Sequence, residues 1–333
     1  MQNTIAIIGA GSWGTALAMV LAPRFERIRL WAHEADLVER MRQTRENDVF
    51  LPGFHLPANV DPVSDLKLAL EDATTVLGVM PSRFARSLYR EMLPYANPQM
   101  RFVSATKGLE NGTLLRMSSV AREVLCQEFE PHIAVLSGPT FAREVARGEP
   151  TAVVISSEHE SLAACIQREF SGPSFRLYTN NDPAGVEIGA ALKNIIAIGA
   201  GICHGLGLGN NTLAALITRG LAEITRLAVA MGGQPHTLAG LAGLGDLVLT
   251  CTGELSRNRT VGLELAKGRK LADIVSSMTM IAEGVESTRA AVELAHALHV
   301  DMPITEQMHT ILNGEHSPRE AIRELMERTL KNE

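Results

Sequence analysis

The sequence contains few cysteines, and their positions argue against both a zinc-binding domain and a disulfide-stabilised domain. The four thiols lie far apart, and none has C-x-x-C spacing: Cys126, Cys165, Cys203 and Cys251. Zinc sites usually draw on paired cysteines, and disulfide frameworks occur in short, cysteine-rich secreted chains, so neither is predicted here. We interpret the four residues as core thiols of a protein from a reducing compartment, and we expect no metal site.

The sequence also lacks segments that would carry it into a membrane. No apolar run of about 18 residues is free of charge. The chain passes from Met1-Gln-Asn-Thr4 directly into an apolar run, without the basic region and cleavage site of a signal peptide. A formal net charge of −6 argues against nucleic acid or an acidic membrane as the main partner. We therefore expect a cytoplasmic protein that binds small molecules, without nucleic acid and without stable membrane insertion.

A strand, a glycine-rich turn and a helix follow one another at the start of the chain. Thr4-Ile-Ala-Ile-Ile8 predicts a buried strand, Gly9-Ala-Gly-Ser-Trp-Gly14 a turn, and residues 15–22 a helix. In a dinucleotide-binding fingerprint the first glycine permits the tight turn, the second admits the pyrophosphate, and the third lets helix and strand pack closely. The helix amino terminus then offers unpaired N–H groups to the phosphates. Here these glycines are Gly9, Gly11 and Gly14.

Strand-type runs recur through the first half of the chain, with helical patterns between the earlier ones. They lie at residues 28–32, 75–80, 101–105, 133–136 and 152–155. This alternation predicts a mostly parallel sheet with helices on both faces.

From about residue 181 the strand signals fade and helical periodicity continues to the end of the chain. Asp182-Pro183 suits the N-cap and first residue of a helix. Glycine-rich segments at residues 205–212 and 240–247 predict turns between helices. The chain, with 333 residues, is long enough for two cores. The predicted fold is an α/β Rossmann-like amino-terminal domain, residues 1–181, plus an all-α carboxyl-terminal domain, residues 182–333.

The end of the second strand bears on the choice of nicotinamide cofactor. An NAD-specific site usually places Asp or Glu there to bind the ribose hydroxyls. This chain has His33, followed by Glu34. Since histidine tolerates a 2′-phosphate better than a carboxylate does, the sequence favours NADPH/NADP, with NADH/NAD as the alternative. A solvated loop histidine without a cofactor role is the other interpretation.

The stretch from Gly185 to Gly201 is the most informative in the chain. It is rich in glycine and alanine, and its only ionisable residues are Glu187 and Lys193, so it predicts a helix buried on most sides. The two charges point to different faces and cannot neutralise each other locally. A lysine on such an apolar face loses hydration, its pKa falls, and it can serve as a general acid or base. The alternative is a lysine that reaches water at the helix rim.

Two further segments of the sequence contain residues that are predicted to contact an anionic ligand. Ligands of parallel sheets bind beyond the carboxyl ends of the strands, where Lys107 and the turn at residues 137–142 are expected. In the second half, Ser256-Arg-Asn-Arg259 combines guanidinium, amide and hydroxyl donors that suit a phosphate. The cluster follows Asp246 and Thr250, which lie four residues apart. The alternative for each of these places is ordinary turn or surface chemistry.

Several motifs in one order resemble the NAD(P)-dependent glycerol-3-phosphate dehydrogenases of bacteria over nearly the whole chain. One departure is His204, where the family usually has an acidic residue. The motifs are Gly9-Ala-Gly-Ser-Trp-Gly14, Ala105-Thr-Lys-Gly-Leu109, Ser137-Gly-Pro-Thr-Phe-Ala142, Leu192-Lys-Asn-Ile-Ile-Ala197, Thr218-Arg-Gly-Leu221, Gly243-Leu-Gly-Asp-Leu247 and Ser256-Arg-Asn258.

The resemblance, together with the glycine fingerprint, implies a role for each site residue, with Lys193 transferring the proton. The residues expected to bind the substrate are Lys107, Gly138, Thr140, Lys193, Asp246, Thr250, Ser256, Arg257 and Asn258. Those expected to bind the cofactor are Gly9, Gly11, Ser12, Trp13, Gly14, His33, Lys107, Ala142, Arg257, Ile281 and Glu283.

The implied reaction is the reversible reduction of dihydroxyacetone phosphate to sn-glycerol 3-phosphate, which would supply phospholipid synthesis. An ammonium near the C2 oxygen would stabilise its developing negative charge and donate the proton. Two alternatives stay open, a two-domain dehydrogenase acting on a hydroxy acid and a cofactor-binding sensor without chemistry. Glycine- and alanine-rich helices can build a dimer face as readily as an interdomain contact, so a homodimer is also left open.

Overall fold

One sheet organises the first half of the chain in the structure, a computed structural model that describes residues 3–278 and 282–330. Every residue of the first strand is buried, as expected for a strand covered on both faces. In the described residues the strands are β1 Thr4–Ile8, β2 Arg27–Trp31, β3 Val60–Val63, β4 Ala73–Gly78, β5 Arg101–Ser104, β6 His132–Ser137, β7 Thr151–Ser156 and β8 Phe175–Asn180.

The strand order is β3-β2-β1-β4-β5-β6-β7-β8, and neighbouring strands are parallel except for β6 and β7. In the centre of the sheet, Ile7 of β1 lies opposite Leu30 of β2 and Leu77 of β4. The direction of winding reverses between β1 and β4. A crevice therefore opens beyond the carboxyl ends of these two strands, which is where doubly wound sheets bind ligands.

Two strands at the edges of the sheet were not predicted from the sequence. β3 reads Val-Asp-Pro-Val, and a proline within a run argues against a strand except at a sheet edge, where β3 lies. β8 lies at the opposite edge and alternates buried and exposed residues along its first half. The edge position of each strand explains its weak apolar signal. The other six strands agree with the predicted ones within a few residues.

Helices cover both faces of the sheet, as predicted. Alternate residues of β1 point to opposite faces, so Ile5 and Ile7 join one apolar core while Ala6 and Ile8 join the other. The helices of this amino-terminal domain are α1 Ser12–Leu21, α2 Ala35–Thr44, α3 Leu66–Leu70, α4 Ala85–Met92, α5 Met117–Leu125, α6 Ala142–Ala146 and α7 Glu160–Phe170.

The second half of the described chain is helical, so the predicted fold class is confirmed. Asp182 caps its first helix by accepting a hydrogen bond from the Gly185 N–H at 2.9 Å. The helices are α8 Pro183–Gly205, α9 Asn210–Ala230, α10 Pro235–Leu238, a π-helical turn Leu241–Gly245, α11 Asp246–Thr252, α12 Arg257–Ala266, α13 Leu271–Ser276, α14 Glu283–Ala297, α15 Pro303–Leu312 and α16 Pro318–Met326.

Helix α8 forms the axis of the carboxyl-terminal domain. It packs against α9, α11, α12, α14 and α15. In the described residues it is the one helix long and apolar enough to cross a membrane, and its apolar stretch is 100% buried inside the protein. Its glycines let neighbouring backbones approach. A Cβ atom at Gly201 would overlap the carbonyl oxygen of Arg259 on α12, and one at Gly262 of α12 would overlap that of Ile198.

The predicted turn within residues 205–212 is confirmed at residues 206–209, which separate the end of α8 at Gly205 from the start of α9 at Asn210. Two other details of the sequence interpretation are wrong. Residues 240–247 form a π-helical turn and the start of α11 rather than an open turn. Gly243 there allows close packing, because a Cβ would overlap the backbone of Leu238. Not all the thiols lie in the core, since Cys126 is exposed.

Candidate active site

Lys193 lies near the middle of α8 with its side chain only 6% exposed. Its Nζ donates a hydrogen bond to Asp246 Oδ1 and a second one, 2.9 Å long, to Thr250 Oγ1. Asp246 begins α11 and Thr250 follows one turn later, so both groups face α8 from the same side of one helix. The lysine thus has no partner on its own helix, as predicted, and finds its partners on α11.

The same carboxylate holds a second lysine, which comes from the amino-terminal domain. Asp246 is fully buried, and its Oδ2 accepts a 2.8 Å hydrogen bond from Lys107 Nζ. Lys107 also donates to the Gly138 carbonyl oxygen at 3.4 Å. Lys107 follows β5 and Gly138 follows β6, so the carboxyl ends of two parallel strands deliver these groups to the helical domain. Asp246 therefore joins the two domains at this point.

Gly138 needs to be glycine for two reasons. Its φ of +149° is a conformation that other residues rarely adopt, and an added Cβ would lie 2.9 Å from the Val153 Cα. Thr140, two residues later, is half-buried and donates to the Gly138 carbonyl oxygen at 3.3 Å. The turn after β6 therefore presents backbone and hydroxyl groups beside Lys107.

Burial controls the proton affinity of Lys193. Loss of hydration is the largest effect and lowers the pKa of this ammonium from 10.5 to about 7. The Asp246 carboxylate opposes that shift, whereas the positive charge of Lys107 adds to it. A group with this pKa exchanges a proton readily near neutral pH, which is the property that a general acid or base requires.

A polar cluster of Ser256, Asn258 and Asn194 lies at the start of α12. Ser256 caps this helix by accepting a hydrogen bond from the Arg259 N–H at 3.3 Å. Asn258 donates to Asn194 Oδ1 at 3.0 Å and accepts from the Gly284 N–H at 3.0 Å. Its side chain thus connects α8, α12 and α14. Asn194 adjoins Lys193 on α8, and the sequence interpretation missed it although an amide in an apolar helix was a visible signal.

Arg257 and Glu283 add two further charges to this region. Arg257 is exposed at the first position of α12, and Glu283 begins α14. Burial raises the pKa of Glu283, while the positive charges of Arg257, Lys107 and Lys193 act to lower it. The carboxylate is therefore close enough to interact electrostatically with all three predicted cationic site residues.

The turn after β1 has the shape required to hold a dinucleotide pyrophosphate. Gly9 has a φ of +121°, and a Cβ there would lie 2.6 Å from the Val79 carbonyl oxygen. A Cβ at Gly14 would overlap the Gly9 carbonyl oxygen, whereas one at Gly11 would meet no atom within 4 Å. The space beside Gly11 is thus open at the amino terminus of α1, whose first N–H groups have no partner within the helix. These residues fit the cofactor predicted from the sequence.

The other predicted cofactor residues lie at several places around this turn. Ser12 and Trp13 are half-buried in the first turn of α1, and Ala142 begins α6, which packs against α1. His33 is exposed beyond β2, with its ring centroid 6.2 Å from that of Trp31. Ile281 lies outside the described residues.

The geometry as a whole suits reduction of a carbonyl group on an anionic substrate. Lys193 can deliver a proton, and Asp246 holds that ammonium in place. While Lys193 is protonated, two ammonium groups share one carboxylate, and the excess positive charge favours an anion. A crevice for a dinucleotide opens at the end of the same sheet that carries Lys107.

Both halves of the chain match family profiles of the same enzymes. A family profile described as the NAD-dependent glycerol-3-phosphate dehydrogenase N-terminus matches residues 4–163. A second profile, described as the C-terminus of the same enzymes, matches residues 182–323. Together the two profiles span both domains.

Individual relatives match over their full length. Glycerol-3-phosphate dehydrogenase [NAD(P)+] of Koribacter versatilis is 58% identical over 329 residues, which are 98% of each chain. The enzyme of the same name from Geobacter sulfurreducens is 52% identical over 100% of this chain and 99% of its own. A crystal structure of glycerol-3-phosphate dehydrogenase from Coxiella burnetii aligns with a TM-score of 0.92 at 42% identity, covering 98% of this chain and 99% of that one. The chain therefore belongs to the NAD-dependent glycerol-3-phosphate dehydrogenase family.

Proposed function

We propose that this protein reduces dihydroxyacetone phosphate to sn-glycerol 3-phosphate, reversibly, with NADPH/NADP or NADH/NAD as cofactor. The observation that carries the proposal is the buried Lys193, held by Asp246 beside Lys107 where the two domains meet. The names of the full-length relatives support the same reaction. An enzyme of this kind needs one proton donor of near-neutral pKa beside an anion site, and this cluster supplies both.

When bound, the nicotinamide cofactor supplies the hydride that reduces C2 of the substrate. Lys193 acts on the C2 oxygen, where negative charge develops during reduction. Its ammonium stabilises that charge and then donates its proton, which yields the hydroxyl group of glycerol 3-phosphate. In the reverse direction the neutral amine accepts the hydroxyl proton.

The neighbours of Lys193 orient it for this task. Asp246 and Thr250 fix the position of Nζ through two hydrogen bonds. Thr250 is itself held by a 2.6 Å hydrogen bond to the Asp246 carbonyl oxygen. Burial lowers the pKa of Lys193, and Lys107 adds to this effect while placing a second positive charge over the substrate. A fixed donor of this kind accelerates a reaction because little reorganisation is needed when charge develops.

The phosphate group of the substrate is assigned to the start of α12. Arg257 offers paired donors in a plane, and its side chain is exposed and can contact the phosphate oxygens. Ser256 and Asn258 supply the remaining contacts to the phosphate. Gly138 and Thr140, in the turn after β6, are assigned to the same substrate pocket. Anchoring the phosphate at a distance from C2 positions the carbonyl group and restricts the reaction to phosphorylated trioses.

The cofactor is assigned to the crevice between the turn after β1 and the start of α14. Its pyrophosphate would lie on the amino terminus of α1, and His33 beyond β2 would accept a 2′-phosphate, so NADPH is the preferred form. The residues proposed to hold it are Gly9, Gly11, Ser12, Trp13, Gly14, His33, Lys107, Ala142, Arg257, Ile281 and Glu283.

Three broader features belong to the same proposal. The cofactor domain comprises residues 1–181 and the catalytic domain residues 182–333, a division supported by the second family profile, which begins at residue 182. The product supplies glycerophospholipid synthesis in the cytoplasm. The enzyme is a homodimer, for which exposed alanines of α9 such as Ala214 and Ala215 offer small apolar side chains.

A cofactor oxidation assay tests the proposal. The wild-type protein is expected to oxidise NADPH on addition of dihydroxyacetone phosphate and to show little activity with unphosphorylated dihydroxyacetone or with 2-oxo acids. Activity with a 2-oxo acid alone would identify a hydroxy-acid dehydrogenase. Cofactor binding without oxidation of NADPH by any of these substrates would indicate a sensor.

A further inference from the structure

The loop between β5 and α5 enters the carboxyl-terminal domain at both of its ends. At the first end, Lys107 reaches Asp246. Two residues later Leu109, 3% exposed, packs into the apolar core of the helical domain. At the second end, Arg116 and Ser118 reach Glu187 of α8. One loop of the amino-terminal domain is therefore attached to α8 and α11 at separate points.

Glu187 makes the second attachment through both carboxylate oxygens. Its side chain is 3% exposed, and its Oε2 accepts hydrogen bonds of 2.6 Å from Arg116 Nη1 and 2.6 Å from Ser118 Oγ. Its Oε1 accepts a 2.8 Å hydrogen bond from the Ser118 N–H in the first turn of α5. A buried carboxylate with an arginine and two helix-end donors is held in one position. Removal of its charge would release Arg116, which is partly exposed.

The loop itself is closed between these two ends. Leu109 and Arg116 form an antiparallel bridge, and Glu110 and Leu115 share a 2.9 Å backbone hydrogen bond. Glu110 is further held by Arg86 through two hydrogen bonds of 2.8 and 2.7 Å. Because the loop is braced in this way, a displacement at Arg116 would be carried to Lys107 rather than absorbed between them.

We propose that Glu187 is a positioning residue for the reduction: its hold on Arg116 and Ser118 sets where Lys107 lies relative to Asp246 and Lys193. This inference rests on the proposed function. Glu187 and Lys193 are on the same helix, six residues or about 9 Å apart along its axis. Helix α8 thus carries both the proton donor, Lys193, and the residue that anchors the loop, Glu187. That loop in turn holds Lys107.

The pKa of Lys193 should change when the contacts of Glu187 with Arg116 and Ser118 are weakened. The ionisable groups that face Lys193 are Asp246, Lys107, Glu283 and Cys251. The positive charge of Lys107 lowers the pKa of Lys193. If the loop relaxes and Lys107 withdraws, that contribution falls and the pKa of Lys193 rises. Loss of stability alone would not produce this change.

The test compares Glu187→Gln with Glu223→Gln. Glu223 is a matched control because it is also a buried carboxylate that accepts three hydrogen bonds at a helix start, from Ile304 and Thr305 of α15. For Glu187→Gln we expect kcat with dihydroxyacetone phosphate to fall about tenfold, since misplacement of a group by about 1 Å can cost up to 100-fold. The KM for NADPH should change less than kcat, because Lys107 is only one of several residues proposed to hold the cofactor. The decline of kcat at high pH should move to higher pH.

Glu223→Gln should lower the melting temperature without moving the pH profile. Ser118→Ala removes only one hydroxyl donor, so it keeps the fold and should move the profile in the same direction as Glu187→Gln by a smaller amount. An unmoved profile in both Glu187→Gln and Ser118→Ala would overturn the inference. So would an equal movement in Glu223→Gln, because the change would then report general destabilisation.

A measurement without turnover separates this inference from the proposed function. The rate of acetylation of Lys193 by acetic anhydride, followed by mass spectrometry across pH, reports the pKa of its amine directly. The midpoint should rise in Glu187→Gln, and an unchanged midpoint would contradict the inference. If the wild type fails to reduce dihydroxyacetone phosphate, the proposed function is wrong, and the acetylation midpoint still decides whether Glu187 positions the loop.

Discussion

At the scale of single residues, the centre of the site is a cluster of Lys107, Lys193 and Asp246, whose formal charges do not sum to zero. Lys107 and Lys193 both donate to Asp246, whose side chain is fully buried. While Lys193 is protonated, two ammonium groups on this one carboxylate leave an excess positive charge in surroundings that screen it poorly. Binding of an anionic substrate therefore lowers the electrostatic energy of the site. An oxygen that gains negative charge during the reaction lowers it further.

The first prediction concerns the pH dependence of the two reaction directions. The pKa of Lys193 is lowered to about 7, so the reduction, which needs the ammonium, should lose rate as pH rises through that value. The oxidation of glycerol 3-phosphate needs the neutral amine and should lose rate as pH falls through the same value. Profiles of kcat/KM in both directions measure this. A reduction rate that stayed constant up to pH values near 10, the ordinary range of lysine, would contradict the assignment.

The second prediction concerns phosphate recognition by Arg257. Arg257→Ala should raise the KM for dihydroxyacetone phosphate by about 100-fold, because a bidentate charge-assisted contact contributes on the order of 2–3 kcal/mol. The dissociation constant of NADPH should change much less. Unphosphorylated dihydroxyacetone is the matched control, since its slow reaction should be insensitive to the substitution. An unchanged KM for the phosphorylated substrate would remove Arg257 from the phosphate site.

At the scale of elements, the close approach of α8 and α12 sets the distance between the proposed proton donor and the proposed phosphate site. Gly201 and Gly262 meet the opposite backbone directly, so neither position has room for a side chain. Helix α8 carries Lys193, and the start of α12 carries the cluster assigned to the phosphate. The packing of two helices thus determines which length of substrate can bridge the two groups.

The third prediction follows from that packing. Gly262→Ala should lower the free energy of unfolding by about 2 kcal/mol or more, because overpacking a tight contact forces backbones apart. It should also raise the KM for dihydroxyacetone phosphate. Urea denaturation and steady-state kinetics measure the two effects. Gly172→Ala is the control, since a Cβ there meets no atom within 4 Å. Equal unfolding midpoints for the two variants would show that α8 and α12 can separate without cost.

The elements also show what the sequence could and could not predict. The buried strands and α8 have strong apolar patterns, and the glycine fingerprint specifies its own turn, so these were predicted correctly. The edge strands β3 and β8 have one exposed side and weak patterns, and were missed. The wheel of α8 indicated that Lys193 and Glu187 have no partner on their own helix. It could not show that Asp246, 53 residues away in sequence, and Arg116, 71 residues away, supply those partners.

At the scale of the whole molecule, function depends on two domains that meet at shared side chains. Lys107 joins Asp246, Arg116 joins Glu187, and Arg83 joins Glu286 at 3.1 Å, each pair linking the sheet domain to the helical domain. The proposed cofactor crevice belongs mainly to the first domain and the proposed proton donor, Lys193, to the second. Their relative placement therefore decides whether bound substrate and bound cofactor can react.

The fourth prediction uses the two tryptophans, both of which lie near the predicted cofactor crevice. Trp13 is in the first turn of α1 and Trp31 ends β2, so NADPH should quench the intrinsic fluorescence of the protein. His33→Asp should weaken NADPH binding about tenfold or more through repulsion of the 2′-phosphate, and should leave NADH binding equal or tighter. His204→Asp, in the last turn of α8, is the control. NADPH binding that is unchanged by His33→Asp would exclude His33 from the cofactor site.

The most direct measurement is NADPH oxidation with dihydroxyacetone phosphate by the wild type and by Lys193→Met. The substitution removes both the positive charge and the proton while keeping a side chain of similar length. We predict that the variant folds and that NADPH quenches its tryptophan fluorescence as it does in the wild type. Its kcat should be lower by at least about 1,000-fold. A folded variant that retained more than about a tenth of wild-type kcat would contradict the central role of Lys193, because acid–base catalysis alone is worth at least about 100-fold.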